Sequence, residues 1–196
     1  FAHPPTPADV PASAPRPTER SFRGAGLQWT FSSELAAALH RLARTEGASV
    51  FMTLLASVQV LLARVSGQSD VIVGSPMAGR VRPELGDQIG FYVNMLPLRT
   101  VVDHAEPFRA LLRRVSDATG RALEHEIYPF DQLVHELHLD RDLARSPLFD
   151  VVVVVDQAGE AALGFEGLTV TPLMRPRVSS KFDLTFHFVE SPTTLA

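Results

Sequence analysis

Apolar positions recur at helical spacing over two consecutive stretches near the start of the chain. Leu35, Leu39, Leu42 and Ala43 mark one face of a helix that Ser32 or Ser33 opens and Gly47 ends. From Ser49 to about Val65, residues Phe51, Leu54, Leu55, Val58, Leu61, Leu62 and Val65 leave only Gln59 and Arg64 as a polar side. A helix apolar nearly all round is buried on most of its circumference. Gly67 stops it, and Val71-Ile72-Val73-Gly74 follows as a short β-branched run of the kind that suits a strand covered on both faces. Helix, turn and strand in this order predict an α/β layer arrangement.

The pattern continues with a polar stretch, Arg80 to Gln88, and a second apolar run, Phe91 to Leu98, interrupted by Asn94. A loop between two buried strands is a favoured place for function. Asn94 must find partners, because an unpaired carboxamide in the interior costs a few kcal/mol. It either ties down a neighbouring backbone or faces a channel and bonds an amide-containing ligand.

Asp103 to Glu106, with Pro107, opens a third helix whose inner face is Phe108, Leu111, Leu112, Val115, Ala122 and Leu123. Gly120 lies inside it, where glycine costs about 1 kcal/mol against alanine. Either another backbone comes close there or something passes over it. A fourth helical run, Phe130, Leu133, Val134 and Leu137, follows Tyr128-Pro129. Val151 to Val155 reads as the centre of a sheet. Short strands are predicted at Leu168–Thr171 and Phe182–Val189, and an alternating strand at Arg23–Phe31 with Leu27, Trp29 and Phe31 on one side.

Ahead of these elements, residues 1–22 read as a proline-rich, poorly packed linker, with six prolines in the first seventeen residues. A chain that opens in this way, without an initiating methionine, reads as a piece of something longer. Residues 23–196 are then one unit. A net charge of −4 gives no electrostatic reason to expect nucleic acid. No apolar run has the length of a membrane span. With no cysteine there are no disulfides and no thiolate chemistry, which fits a cytoplasmic protein.

Local chemistry is sparse. His135 and His138 stand three apart on a helix, but neither they nor His125 completes the His-Glu-x-x-His spacing of a zinc protease, so no metal is expected. There is no Gly-x-Ser-x-Gly elbow and no phosphate-cradling glycine loop. Ser179-Ser180 reads as a turn. Arg141, Asp142 and Arg145 are expected to form a fork-shaped structural ion pair that fastens the loop before the Val151 strand.

Five segments in register resemble the second half of a condensation domain from nonribosomal peptide synthetases. They are VIVGSPMAGR (Val71 to Arg80), IGFYVNMLPLR (Ile89 to Arg99), HEIYPFDQLVHEL (His125 to Leu137), RDLARSPLF (Arg141 to Phe149) and SKFDL (Ser180 to Leu184). The resemblance implies one lobe of a chloramphenicol acetyltransferase-like fold, an α/β two-layer sandwich in which a mixed sheet is backed by helices. In that family a tunnel between two lobes brings together two phosphopantetheine thioesters presented by carrier proteins, and an amide forms. The family's His-His motif belongs to the first lobe, and no His-His pair occurs here. By resemblance, then, this chain is the C-terminal lobe, with no catalytic residue of its own and no bound cofactor, and is inactive alone.

The same resemblance places a floor loop at about residues 80–91 and a latch at about 156–177. It makes Tyr92, Asn94 and Gly120 candidates for lining the tunnel. The implied partners are the N-terminal lobe, peptidyl carrier proteins and an adjacent adenylation domain. A platform that recruits a tailoring oxygenase is the alternative within the family, with an epimerising relative disfavoured by the form of Ile89 to Leu98. Outside the family, the alternative is an interaction domain that self-associates through exposed strands, Val151 to Val155 among them.

Overall fold

The computed structural model describes residues 8–12, 14–139, 142–157, 167–168, 171, 178–191 and 195–196. Among these residues, four α-helices and four strands are ordered α1 (Ser33–Thr45), α2 (Val50–Ser66), β1 (Asp70–Met77), β2 (Asn94–Val101), α3 (Phe108–Leu123), α4 (Phe130–Glu136), β3 (Val151–Gln157) and β4 (Leu184–Glu190). Ser32 caps α1 by accepting from Leu35 N, and Ser49 caps α2 by accepting from Met52 N. Both helices end at glycines in the left-handed region, Gly47 (φ 66°) and Gly67 (φ 71°), which carry the chain away without a Cβ clash.

The strands form one mixed sheet in the order β2-β1-β3-β4. β1 and β2 are antiparallel, with Val73 opposite Leu98, while β3 runs parallel to both β1 and β4. The pentavaline strand is thus internal, as its composition predicts. The same placement removes it as a self-association edge, since β1 and β4 occupy its two sides. Pro97 is tolerated because β2 is an edge strand and a missing N–H there breaks no outer pairing.

Helices α2 and α3 cover one face. Leu55, Val58 and Leu62 of α2 and Leu111, Leu112 and Val115 of α3 pack on Val71, Val73, Leu96, Leu98, Val151 and Val153. On the opposite face Ile72, Leu148, Phe149 and Val152 are covered by Phe130, Leu133, Val134 and Leu137 of the α4 region. Gly74 has a packing reason: a Cβ there would stand 2.1 Å from the Phe149 ring, which also meets Phe130 and Phe182 at centroid distances of 5.3 and 5.9 Å. No single helix among the described residues is long and apolar enough to cross a membrane.

Three expectations change. The Arg23–Phe31 strand is absent: only an isolated bridge, Arg23 to Ser179, forms at its start, and Leu27 and Trp29 stand in solvent. The second apolar run enters the sheet only at Asn94 and continues to Val101, leaving Phe91 and Val93 exposed. The described part of the proline-rich segment is docked, not loose. Ala8 is buried, Val10 packs on the main core, Asp9 N donates to Gln68 Oε1 at 3.1 Å, and Arg16 pairs with Asp183. Of the strand expected at Leu168–Thr171, residues 169 and 170 lie outside the described residues.

One half-buried ion pair stitches the open end of the β1–β2 ladder. Arg99 Nε and Nη2 donate to the two Asp70 oxygens at 2.9 and 2.6 Å. The hydrogen bond from Arg99 holds the Asp70 carboxyl below its ordinary 3.8, against an opposing desolvation. Unfolded Asp70 therefore takes up its proton at a higher pH than folded Asp70. The stability it contributes is complete above about pH 4 and is lost as pH falls through the lower folded value. Asp70→Asn is expected to flatten part of the acid limb of stability against pH, seen as urea midpoints between about pH 3 and 6. An unchanged acid limb would contradict this.

Candidate functional site

The loop from β1 to β2 is shaped by close contacts around Tyr92. Gly79 turns at φ 65°, and a Cβ on it would lie 2.0 Å from Tyr92 O, so only glycine fits. Arg80 lies over the Tyr92 ring at 4.6 Å and donates to Leu85 O, at the end of a short 3-10 turn, Pro83–Leu85. Tyr92 Oη donates to Gln88 Oε1 at 2.7 Å. Tyr92 is thereby the post around which the expected floor loop folds. Val81, Ile89 and Phe91 point outward from it, the last two almost wholly in solvent.

Asn94 sits at the first position of β2 and binds backbone. Its Nδ2 donates to Glu126 O and Tyr128 O, both at 2.8 Å, and its Oδ1 accepts from Phe130 N at 3.1 Å. The carboxamide therefore fastens the connection between α3 and α4 to the sheet. This is the first of the two roles open to it from the sequence. Below the same connection, Tyr128 Oη donates to Glu136 Oε1 at 2.5 Å, and that hydrogen bond holds the phenol above its ordinary range. Beside it lies a shallow cleft of about 410 Å³ lined by Asp131, Gln132, His135 and Glu136. His138 Nδ1 is 2.8 Å from His135 O, so this histidine pair is engaged with backbone as well as ring contact.

Gly120 lies in the last turns of α3, the helix that leads into the Asn94-fastened connection. Outside its own helix, nothing stands within 4 Å of a Cβ built there. Of the two explanations for a costly helical glycine, close approach of another backbone is thus not what the described residues show. The helix is left with an open notch.

The expected fork before β3 takes a different form. Arg141 lies outside the described residues. Arg145 stands 3.9 Å from Asp142, and its closer partners are Asp150 (Nη1 to Oδ2, 2.9 Å) and Asp9 (Nη2 to Oδ1, 2.8 Å). Asp142 instead accepts from Ala144 N and turns its own loop. Asp150 is the buried member, accepting also from Ser146 N at 2.9 Å, with Arg16 at 4.0 Å. A signal for it was present: a lone acid between Phe149 and Val151, inside an apolar run, requires a cation and N–H donors. The reason Arg145 chooses Asp150 over Asp142 is burial, since a desolvated carboxylate binds a guanidinium more strongly than an exposed one. Of the expected latch, only residues 156–157, 167–168 and 171 are described.

Comparison with known proteins gives a consistent result. One of the plipastatin synthase proteins of Bacillus subtilis (strain 168) is 41% identical over 188 residues, covering 95% of this chain and 7% of that protein. One of the linear gramicidin synthase proteins of Brevibacillus parabrevis is 42% identical, covering 95% of this chain and 2% of that protein. The chain thus spans a small fraction of such relatives. Among solved structures, the X-domain from teicoplanin biosynthesis superposes with a TM-score of 0.88 at 22% identity, over 96% of this chain and 44% of that one. The first condensation domain of the CDA synthetase gives 0.68 at 25% identity, over 93% and 41%. The condensation domain family matches residues 1–196, the whole length. This chain belongs to the condensation domain family.

Proposed function

We propose that this chain is the C-terminal lobe of an amide-forming condensation domain in a nonribosomal peptide synthetase. It supplies one wall and the floor of a tunnel in which a carrier-bound aminoacyl amine attacks a carrier-bound acyl or peptidyl thioester. The observation that carries the reading is the match of the full chain to the family, together with its closeness to the plipastatin and gramicidin synthases. The reaction needs a group to handle the amine proton and donors to stabilise the tetrahedral oxyanion. The family's His-His pair is missing from this sequence, so those groups belong to the companion lobe. This chain's contribution is geometric: Tyr92 shapes the floor loop, Asn94 fixes the α3–α4 connection, and the notch at Gly120 leaves room for a thioester arm.

The phosphopantetheine arms enter as substrate, carried by peptidyl carrier proteins, with an adenylation domain loading the acceptor. The fold likeness to the X-domain is the observation that favours a second reading, a platform for a tailoring enzyme. It is a likeness of fold at 22% identity, against 41% to a plipastatin synthase, and so weighs less.

The test uses the intact two-lobe domain with loaded carrier proteins. Amide formation is expected from the intact domain and none from this chain alone. Gly120→Phe is expected to lower kcat/KM at least about tenfold by filling the notch, while Gly120→Ala raises stability by about 1 kcal/mol through helix propensity. Amide synthesis by the isolated chain would overturn the reading, as would full activity in Gly120→Phe. An intact domain that forms no amide but binds an oxygenase would favour the platform.

A further inference from the structure

The helices leave part of the sheet bare. Strands β1, β3 and β4 run in one direction, so their carboxyl ends share one edge, and β2 begins there. On one face, Val151 and Val153 of β3 and Leu184, Phe186 and Phe188 of β4 pack into the α2–α3 layer. On the other face, the α4 region covers Ile72 and Val152. Beyond Val152, toward the carboxyl edge, that cover ends: Val154 is half-buried, and Asp156, Thr185, His187 and Val189 are exposed.

The register places these side chains on one surface. His187 lies opposite Val154, and Asp156 is two residues further along the same face of β3. The pairing of Gly74 with Val152 puts Pro76, also half-buried, on the other side of Val154. A strip of apolar side chains thus runs up to one acid and one imidazole. The floor loop leaves β1 from Met77 at this edge. Among the described strands, the chain passes from β1 to β2 on one side and from β3 to β4 on the other. In open α/β sheets the crevice at the carboxyl ends of the strands, where the strand order reverses, is where ligands bind.

The two polar side chains act as a unit. His187 Nε2 and Asp156 Oδ2 are 2.7 Å apart, and because a carboxylate only accepts, the imidazole N–H donates. That bond orients a side chain that is otherwise open to solvent, 60% accessible for Asp156 against 31% for His187. Among the described residues, Asp156 Oδ1 has no hydrogen-bond partner. A carboxylate aimed by its neighbour, bordered by an apolar strip and open at the carboxyl edge, is suited to receive an N–H donor.

We propose that Asp156 binds the amine of the carrier-bound aminoacyl acceptor, and that His187 is the positioning residue that aims the carboxylate. The inference rests on the reading of this chain as one wall of an amide-forming tunnel, and names the group on that wall that meets the nucleophile. One amine N–H donates to Oδ1, which orients the nitrogen without removing its proton. Proton transfer stays with the companion lobe.

The test uses the intact two-lobe domain and an acceptor carrier protein whose phosphopantetheine bears alanyl or propionyl through a stable amide in place of the thioester. The two loads differ only by the amine. The unmodified domain is expected to bind the alanyl carrier at least about tenfold more tightly than the propionyl carrier, the scale of a charge-assisted hydrogen bond. Asp156→Ala is expected to bring the two affinities within about twofold of each other. His187→Ala is expected to shrink the ratio, and His187→Gln, which keeps an N–H near the Nε2 position, to restore most of it. A merely structural role would weaken both carriers alike and leave their ratio unchanged. Equal ratios in the unmodified domain and Asp156→Ala would overturn the inference, as would an unmodified domain that binds both loads equally. A full ratio in His187→Ala would strike the positioning role. Amide synthesis on the same preparation keeps the two readings apart. No synthesis with an Asp156-dependent ratio sinks the function and leaves the amine site, whereas synthesis with an Asp156-independent ratio sinks the amine site alone.

Discussion

Arg145→Leu is expected to destabilise the fold by about 3–5 kcal/mol, because it strips a buried carboxylate of its main cation. Asp150 is 2% exposed and keeps only Ser146 N at 2.9 Å and the more distant Arg16 at 4.0 Å. Its location amplifies the effect. Asp150 is the residue before β3, and its carbonyl accepts from Asp183 N at the entry to β4, so the parallel strands β3 and β4 both start from this point. The docked N-terminal segment ends there as well, through Asp9 on Arg145 and Arg20 on Ser146 at 2.8 and 2.7 Å. Asp142→Ala, by contrast, removes a half-exposed carboxylate 3.9 Å from Arg145 and is expected to cost under about 1 kcal/mol, mainly from its loop. Urea unfolding of the two variants side by side reads the difference. Equal midpoints would show that Asp142 carries the fork, as the sequence alone implies.

That contrast shows where reading the sequence stops. The four helices were legible because their signals are local: serine caps and left-handed glycines at α1 and α2, prolines at the starts of α3 and α4, and apolar residues three and four apart. The internal strands were legible because β-branched runs buried on both faces leave no room for polar alternation. Arg145 has Asp142 and Asp150 near it in sequence, and which of these two it binds more closely depends on burial, which spacing does not encode. The 24–31 segment shows the same limit from the other side. Its alternation is a true strand pattern, but a strand exists only with a partner ladder, and among the described residues it meets backbone partners only at its two ends, Gly24 on Val178 O and Phe31 on Leu195 O. Phe91 and Val93 carry strand-forming side chains too. They stay outside the sheet because Gly79 and the Arg80–Tyr92 contact hold the loop closed up to Asn94. Of the candidate tunnel residues, the types were informative and the partners were not. A glycine inside a helix and an amide inside an apolar run each announced a special environment.

The amide gives the second large effect. Asn94→Asp is expected to destabilise the chain by about 2–4 kcal/mol, more than Asn94→Ala, although aspartate is the closer match in shape. The wild-type side chain is a donor toward Glu126 O and Tyr128 O and an acceptor toward Phe130 N. Aspartate keeps the bond from Phe130 N but turns an oxygen toward two carbonyl oxygens, so two attractive contacts become repulsive ones. Alanine merely leaves those carbonyls unpaired at a half-buried position that water can reach in part. The sign also reverses with pH. Once protonated, the introduced carboxyl has one O–H to donate, so the aspartate variant is expected to recover stability as pH falls below its carboxyl range, where most carboxylate-dependent folds weaken. In the intact domain, the loss should appear chiefly as faster hydrogen exchange across residues 124–130, because that is the connection Asn94 fastens. An aspartate variant as stable as wild type, with exchange there unchanged, would mean that the carboxamide is not the fastening, and would return Asn94 to the alternative in which its side chain serves a bound ligand.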